Sequence, residues 1–451
     1  MVRNIKVAAA VAAVLASASA LATQPSPASA AAPNVGLYIA GSSAAKNAVL
    51  GALETNVCGG SYSLFSSTGD TNFFAVSCTP AASTGLPSAN GSNIFTIWYR
   101  DEGGSVVGAL PLVSGASINQ LSLAGAAGSA GNYTVAVAGS SATNGIDDSF
   151  ASGVFKAPVQ FGITDVEPGA LILDNYPSAY KTSVYGKATA AQLAGLSATT
   201  LFDQVFGIFV NTSGGAFSSS ETGGQGKAPG QPNTLNLPKD SITNILQGNV
   251  ANWNVVSDTN GNAVTTASQP IVIVNREQGS GSRTATSIFF TGDECSATAS
   301  SIAESTGGTA DYFSTGNVLA AANGIPGSIT YASIDNAGSS SYPNLTLVNI
   351  NGTVPSQVAA AAGAYGDWFE ATGVTGANFS SLTADQQGLI NDLTAAFQTQ
   401  ASAPNTADVL AIPGNSTNTA SLPITGTLAN KIYVNTYTRS GVSCNTAITA
   451  L

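Results

Sequence analysis

The chain has 451 residues, of which 44 % are hydrophobic, so it can bury the cores of two or three lobes. Only 8 % of the residues are charged, and 24 Asp+Glu against 13 Lys+Arg give a net charge of −11. This acidic balance argues against a nucleic-acid-binding protein. The chain contains no histidine, which excludes Ser-His-Asp and Cys-His catalysis and His-ligated zinc.

The first 30 residues have the pattern of a secretory signal peptide. Arg3 and Lys6 precede an apolar run from Val7 to Leu21, and Ala28-Ser29-Ala30 fits a cleavage site. We therefore expect residues 1–30 to lie outside the fold and the mature protein to be periplasmic or extracellular. No cysteine precedes Cys58 and no later apolar run is long enough to span a bilayer, so we expect neither a lipid anchor nor membrane insertion.

Four cysteines in an exported chain predict two disulfides. Three pairings are possible. We favour Cys58–Cys78, which closes a short loop and leaves Cys295–Cys444 as a long-range link.

The first half of the chain repeats a strand followed by a Gly/Ser turn. The strand Gly36 to Ala40 leads into Gly41-Ser42-Ser43 and a helix from Ala44 to Glu54. The strand Ile94 to Arg100 leads into Gly103-Gly104-Ser105 and an apolar run that begins a helix. Residues 117–148 are rich in Gly, Ala, Ser and Asn, which indicates a surface loop or hairpin, and the strand Val159 to Ile163 follows them, ending at Thr164-Asp165.

The second half continues the alternation of strands and helices. Leu201 to Asn211 is a strongly apolar strand region, and Gly324 to Ala332 is a turn that enters another strand. Pro355 to Ala371 and Thr383 to Ala401 are predicted as the two longest helices, and Ile432 to Tyr437 as a closing strand. Alternating strands and helices predict an α/β fold.

The most informative turn spans Asn275 to Phe290, after the apolar strand Gln269 to Val274. Its two glycines permit a tight turn, and a serine can cap the helix that follows. Such a turn directs unpaired N–H groups and the positive end of the helix dipole at one point, where an oxyanion is favoured. Arg276 and Arg283 add charge. The alternative interpretation is an ordinary capped helix with two surface or ion-paired arginines.

Several short motifs along the chain match one protein family in the same order. Arg276 stands four residues before the first serine of a Ser-Gly-Ser turn. A segment that begins with Ile245 and ends with Asn252-Trp253 lies earlier in the chain. The matching segments are Gly41-Ser42-Ser43, Gly104 to Gly108, Phe161 to Asp165, Ile245 to Trp253, Arg276 to Ser282 and Ile329-Thr330-Tyr331. This set resembles the phosphate-binding proteins of bacterial ABC transporters, which have the type II periplasmic-binding-protein fold.

The resemblance implies an α/β protein of two lobes, with two mixed sheets flanked by helices and a two-strand hinge. Lobe I would comprise residues 33–166 and 335–451, and lobe II residues 167–334. It further implies a non-catalytic monomer without a cofactor or metal, which binds inorganic phosphate or a similar oxyanion between the lobes and serves an ABC permease. The ligand-binding residues that it implies are Ser42, Ser43, Ser105, Asp165, Arg276, Ser280, Gly281 and Ser282.

Asp165 has the most diagnostic role in this interpretation. Phosphate retains a proton on part of its population near neutral pH, and a carboxylate can accept a hydrogen bond from it. Sulfate has no such proton and would be repelled. Without the resemblance, Asp165 would be interpreted as a helix N-cap. Two alternative functions use the same fold: a secreted phosphohydrolase, or a surface or matrix protein that has lost its ligand.

Overall fold

The computed structural model describes residues 24–449, apart from residues 81–85, 88–91, 139–149, 172–187, 215, 218–223, 232–234, 294, 296–300, 399–407, 411 and 413–433. Strands and helices alternate around a large mixed sheet, which confirms the predicted α/β class. No helix among these residues combines the length and the apolar character that a membrane crossing requires.

Lobe I is built on strands that carry buried apolar side chains on both faces. Strand β1 lies between β4 and β9 and runs parallel to both, so the C-terminal ends of the three strands share one edge. The order continues from β4 through β3, β2 and β7 to β6. The elements are α1 Pro27–Ala31, β1 Val35–Gly41, α2 Lys46–Ala52, β2 Tyr62–Thr68, β3 Phe73–Cys78, β4 Phe95–Arg100, α3 Ser105–Ser114, β5 Ser117–Leu121, β6 Ala127–Ser129, β7 Asn132–Ala136, β8 Val154–Pro158 and β9 Phe161–Thr164.

Lobe II has its own core, in which helices cover a smaller group of strands. Strand β12 runs parallel to β13, and β13 pairs antiparallel with the second half of β10. The elements of the second half of the chain, from both lobes, are α4 Ala190–Ala194, β10 Ser197–Asn211, β11 Asn236–Leu237, α5 Lys239–Leu246, β12 Val272–Ile273, α6 Gly281–Phe290, α7 Thr315–Gly324, β13 Ser328–Ser333, β14 Leu345–Leu347, β15 Asn349–Ile350, α8 Gln357–Ala361, β16 Trp368–Thr375, α9 Ala384–Gln398, β17 Val409–Leu410, β18 Tyr437–Thr438 and β19 Ile448–Thr449.

Two strands connect the lobes. The first half of β10 pairs with β16, which in turn pairs with β9 of lobe I, and the second half of β10 belongs to lobe II. The two sheets are therefore joined into one path of hydrogen-bonded strands. We propose that β10 and β16 form the hinge between the lobes.

The predicted lobe boundaries need one change. Residues Leu345 to Tyr365 contribute buried side chains to the core of lobe II, together with Ile208, Ile245 and Ile329. The chain returns to the core of lobe I at Ala371 in β16 and at Leu389 to Phe397 in α9. We therefore propose that the second part of lobe I begins near β16 and not at residue 335.

The predicted helix from Pro355 to Ala371 is wrong over most of its length. The structure has a short helix, Gln357–Ala361, and then a strand from Trp368 to Thr375. Gly363 has a φ of +75°, which ends the alanine-rich helix. The following side chains are buried on both strand faces, so burial in the sheet overrides helix propensity.

The end of the predicted signal peptide is part of the fold. Ala30 in α1 is completely buried, and the Ser63 hydroxyl donates to the Pro25 carbonyl at 2.6 Å. The Thr96 hydroxyl donates to the Ala30 carbonyl at 2.9 Å. The expectation that all of residues 1–30 lie outside the fold therefore does not hold for Pro25 to Ala30, whereas residues 1–23 lie outside the described residues.

Both predicted disulfides, Cys58–Cys78 and Cys295–Cys444, are present. The second belongs to a segment that we call the strap, residues 434–449. The strap lies against the hinge strands: the Asn435 amide donates to Asp203 of β10 at 2.8 Å, and the backbone N–H of Arg439 donates to Glu370 of β16 at 2.7 Å. Of the predicted closing strand Ile432 to Tyr437, Tyr437 pairs with Thr449 within the strap, and residues 432–433 lie outside the described residues.

Candidate functional site

Turns from both lobes meet at one place. Ser42 follows β1, Ser105 begins α3 after β4, and Asp165 follows β9. These residues lie together because the three strands are parallel and end at the same edge of the sheet. Lobe II contributes Arg276, which follows β12, and the start of α6. We call the eight sequence-predicted residues Ser42, Ser43, Ser105, Asp165, Arg276, Ser280, Gly281 and Ser282 the cradle.

Asp165 lies at the centre of the cradle and is 2 % exposed. One carboxylate oxygen accepts a hydrogen bond from the Ser42 hydroxyl, and the other accepts one from the Ser282 hydroxyl of lobe II at 3.0 Å. Its backbone N–H donates to the Ser105 hydroxyl at 3.0 Å. Burial raises the pKa of the carboxyl, while these hydroxyls and the Arg276 charge lower it. The net upward shift makes Asp165 able to hold a proton closer to neutral pH than an exposed aspartate.

The backbones of the two lobes approach closely at Gly281. A Cβ atom there would lie 2.1 Å from the Ser105 hydroxyl oxygen and 2.7 Å from the Asp165 Cβ, so only glycine fits. Gly104 has a φ of +70°, and a Cβ on it would lie 3.0 Å from the Ser280 Cα. The Val106 N–H also donates to the Gly279 carbonyl across the lobes at 3.1 Å. The structure is therefore a closed form.

Arg276 is 1 % exposed, and its guanidinium is held by lobe II. Nε donates to the Tyr312 carbonyl at 3.1 Å, Nη1 to the Thr315 hydroxyl at 3.0 Å, and Nη2 to the Phe313 carbonyl at 3.2 Å. Burial lowers the pKa of Arg276, and nearby acidic groups that include Asp165 partly offset this. The arginine is fixed in position by neutral oxygens, which leave its positive charge available to a bound anion.

Arg283 lies behind the cradle, as a support for Arg276. It donates to the Arg276 carbonyl at 2.8 Å and forms ion pairs with Glu304 and Asp311, both at 3.0 Å. Burial and a hydrogen bond shared with Glu304 raise the pKa of Asp311 to about 6. Of the two arginines singled out by the sequence, only Arg276 is in the cradle.

Two helices begin at the cradle. Ser105 is the first residue of α3, and Ser280 caps α6 by accepting a hydrogen bond from the Arg283 N–H at 3.4 Å. The first-turn N–H groups of a helix have no partner within the helix, and its dipole places partial positive charge there. The cradle thus combines two helix N-termini, five serine hydroxyls, one guanidinium and one carboxyl, which is the chemistry of an oxyanion site.

Sequence analysis missed Thr315. Its hydroxyl accepts from Arg276, and its backbone N–H donates to the Ser43 hydroxyl of lobe I at 3.0 Å. It therefore links the two lobes beside the cradle. The available signal was Ser314, which caps α7 by accepting from the Asn317 N–H at 3.2 Å, just as Ser280 caps α6.

No group of three or more His, Cys, Asp or Glu side chains with metal-binding geometry occurs in the part of the chain that the structure describes.

Residues 208–404 match the family model described as the PBP superfamily domain. This stretch is therefore similar to PBP superfamily domains. It contains Arg276, the start of α6 and Thr315, whereas the cradle residues from Ser42 to Asp165 precede it. The match confirms the resemblance at the level of the superfamily. No curated protein matches the sequence.

The chain is also similar to solved structures. One is a Clostridium perfringens protein described as a phosphate ABC transporter substrate-binding protein with bound phosphate: identity is 15 %, 79 % of this chain and 92 % of that chain are covered, and the TM-score is 0.43. Another is an ABC-type phosphate transport receptor from Vibrio cholerae. Its identity is 14 %, 79 % of this chain and 93 % of that chain are covered, and the TM-score is 0.39. A third is a phosphate-binding protein from Stenotrophomonas maltophilia. Its identity is 13 %, 81 % of this chain and 83 % of that chain are covered, and the TM-score is 0.37.

Proposed function

We propose that this chain is a non-catalytic solute-binding protein that holds inorganic phosphate, or a similar oxyanion, in the cradle between its lobes. The observation that carries the proposal is the convergence of Asp165, Ser105 and Ser42 from lobe I with Arg276 and the start of α6 from lobe II. Each of these lobe I residues lies more than 100 residues before Arg276 in the sequence. A site that needs both lobes binds by closure, which buries the ion.

The chemistry of the cradle favours an oxyanion that can share a proton. In the closed form, the two oxygens of Asp165 accept bonds from Ser42 and Ser282, and both hydroxyls can rotate toward a ligand. Ionised Asp165 accepts a hydrogen bond from the proton of hydrogen phosphate. Sulfate has no such proton, so no hydrogen bond would offset the repulsion between its charge and ionised Asp165, and sulfate is rejected.

The direct test is isothermal titration of the mature protein with phosphate and with sulfate at pH 8. We expect phosphate to bind and sulfate to bind about 100-fold more weakly or not at all. Asp165→Asn should reduce that ratio by about tenfold or more, because an amide can donate to either ion. Arg276→Met should lower the affinity for phosphate about 30-fold or more, because the buried anion then has no positive charge beside it.

Lys156→Met is the matched control for Arg276→Met, since it removes one positive charge from an exposed position on β8, outside the cradle. Circular dichroism and thermal unfolding establish that each variant is folded. Folded wild-type protein that gives no heat with phosphate would reject the proposal, as would Arg276→Met with the affinity of the parent.

Location and partner belong to the same proposal. A binding protein of this kind acts outside the cytoplasm, where two disulfides are stable. An ABC permease that receives the ion from the closed form is the partner we propose. An assay that measures phosphoester turnover by the purified protein tests the non-catalytic part of the proposal, and turnover that Asp165→Asn abolishes would contradict it.

A further inference from the structure

A second, polar pocket opens between the lobes next to the cradle. Its volume is about 210 Å³. Lobe I lines it with Lys46, Asn47 and Asp101, and lobe II with Thr315 and Asp335. Ser43 of lobe I lines it too. Ser43 and Thr315 together form the wall between the pocket and the cradle.

The pocket has an acidic lining. Asp101 is 1 % exposed, and one of its oxygens lies 3.0 Å from the Lys46 ammonium nitrogen. Its other oxygen is buried and accepts no hydrogen bond from any residue that the structure describes. Asp335 accepts from the Asn47 amide at 2.8 Å across the cleft. The two carboxylates outnumber the single ammonium, so the pocket attracts a hydrogen-bond donor or a cation and repels a second anion.

Free phosphate uses only part of this arrangement. It would occupy the cradle and leave the acidic pocket with solvent alone. The wall between the two spaces consists of hydroxyls: the Ser43 and Thr315 oxygens lie 3.0 Å apart. Hydroxyls of this kind can turn toward a ligand without a change in the backbone. An ester group on the phosphate could therefore extend past them into the pocket, where the free oxygen of Asp101 would receive its donor.

We infer that the cradle and the pocket together bind a phosphate monoester whose short substituent carries an ammonium group. The phosphoryl oxygens occupy the cradle beside Arg276, and the ammonium donates to Asp101 in the pocket. This inference rests on the proposed oxyanion function and names its ligand class. A charge-assisted hydrogen bond to a buried carboxylate is strong enough to discriminate between esters.

The test compares inorganic phosphate, ethyl phosphate and O-phosphoethanolamine by isothermal titration. The last two differ by an ammonium group at the end of the same two-carbon substituent. We expect wild-type protein to bind O-phosphoethanolamine about tenfold or more tightly than ethyl phosphate. Asp101→Asn should reduce this preference to about twofold or less. Because Asp101 also lies in the field of Arg276, all three affinities can rise together in the variant, and the ratio of the two esters is the readout.

Asp240→Asn is the control, since it removes one carboxylate from an exposed position in α5, and it should leave the ratio unchanged. Asp335→Asn replaces Asp101→Asn if the latter does not fold. Equal binding of the two esters by wild-type protein, or binding of inorganic phosphate alone, would overturn the inference and leave the proposed function intact. If none of the three ligands binds, the proposed function fails as well.

Discussion

The cradle and the contact between the strap and β16 are two polar regions that satisfy their buried carboxylates in different ways. In the cradle, Asp165 accepts from the hydroxyls of Ser42 and Ser282, which can rotate toward a ligand. In the strap region, Glu370 accepts from the Thr438 hydroxyl and, in addition, from the backbone N–H groups of Arg439 and Gly441, whose positions the chain fixes. Exchangeable donors suit a site that opens and closes, whereas fixed backbone donors suit a permanent join.

The arginines of the two regions are also held by different contacts. The Arg276 guanidinium is held at its edges by carbonyls and one hydroxyl. Arg439 lies over the rings of Trp368 and Phe369 and donates to carbonyls that include that of Trp368. The strap is also linked to lobe II by Cys295–Cys444. We therefore expect changes in the cradle to alter binding and changes in the strap to alter stability.

Removal of the strap disulfide should have the largest effect on stability. Cys295–Cys444 spans 149 residues, and Cys58–Cys78 spans 20. Chain entropy predicts a cost of about 5 kcal/mol for the long link and about 3 kcal/mol for the short one. We expect Cys295→Ala/Cys444→Ala to unfold at lower denaturant concentration than Cys58→Ala/Cys78→Ala, with phosphate still raising the midpoint in both.

Titration of the folded variants with phosphate separates the two regions further. Affinity within about threefold of wild type is expected for both double variants, because neither disulfide contributes to the cradle. Loss of phosphate binding in Cys295→Ala/Cys444→Ala alone would show that the strap controls the cradle through the hinge strands. The expectation that the strap affects only stability would then be wrong.

The sequence predicts the cradle better than it predicts the strap, for a physical reason. Most cradle residues lie in a local motif, a strand that ends in a Gly/Ser turn before a helix, as at Ser42, Ser105 and Ser280, and Asp165 directly follows a strand. The strand order then brings the motifs to one edge. The strap depends on contacts between Arg439 or Asn435 and strands far away in the sequence, and no local pattern encodes them.

The errors have equally specific causes. The alanine-rich segment after Pro355 has high helix propensity, but burial of Trp368 to Val374 selects a strand. Thr315 was missed because its partners, Ser43 and Arg276, come from both lobes. The pairing of a hydroxyl with a distant arginine has no signature in sequence spacing.

A pH titration of stability should reveal the buried carboxyl of Asp367 beside the strap. Asp367 is fully buried before β16, and its oxygens accept no hydrogen bond from the described residues. Burial raises the pKa of Asp367 to about 7, although Lys239 and Arg439 lower it. An acid with a raised folded pKa favours folding below its unfolded pKa, near 4, and this stability is lost as pH rises toward 7.

We therefore expect the free energy of unfolding of wild-type protein to fall by about 2–3 kcal/mol more than that of Asp367→Asn between pH 5 and 7.5. A residual slope should remain in the variant, because burial also raises the pKa of Asp203 and of Glu167. Phosphate affinity at pH 8 should match wild type. Parallel stability curves for the two proteins would mean that Asp367 titrates normally.

The smallest effect is expected at the other end of the chain, where residues 24–31 pack against lobe I without a disulfide. Two hydroxyls hold this segment through the carbonyls of Pro25 and Ala30, and each such bond contributes about 1 kcal/mol. Deletion of residues 24–31 should therefore destabilise the protein by about 2 kcal/mol, less than either disulfide. We propose from this packing that the segment belongs to the mature protein.

We accordingly predict that signal cleavage falls before Gln24, and Ala20-Leu21-Ala22 has the small residues that such a site needs. Intact-mass measurement of the exported protein gives the position directly. A mass that corresponds to a chain beginning at Ala31, with stability equal to that of a chain beginning at Thr23, would contradict the prediction. It would mean that the contacts of Ser63 and Thr96 are not needed, because either hydroxyl can bond to water once the segment is absent.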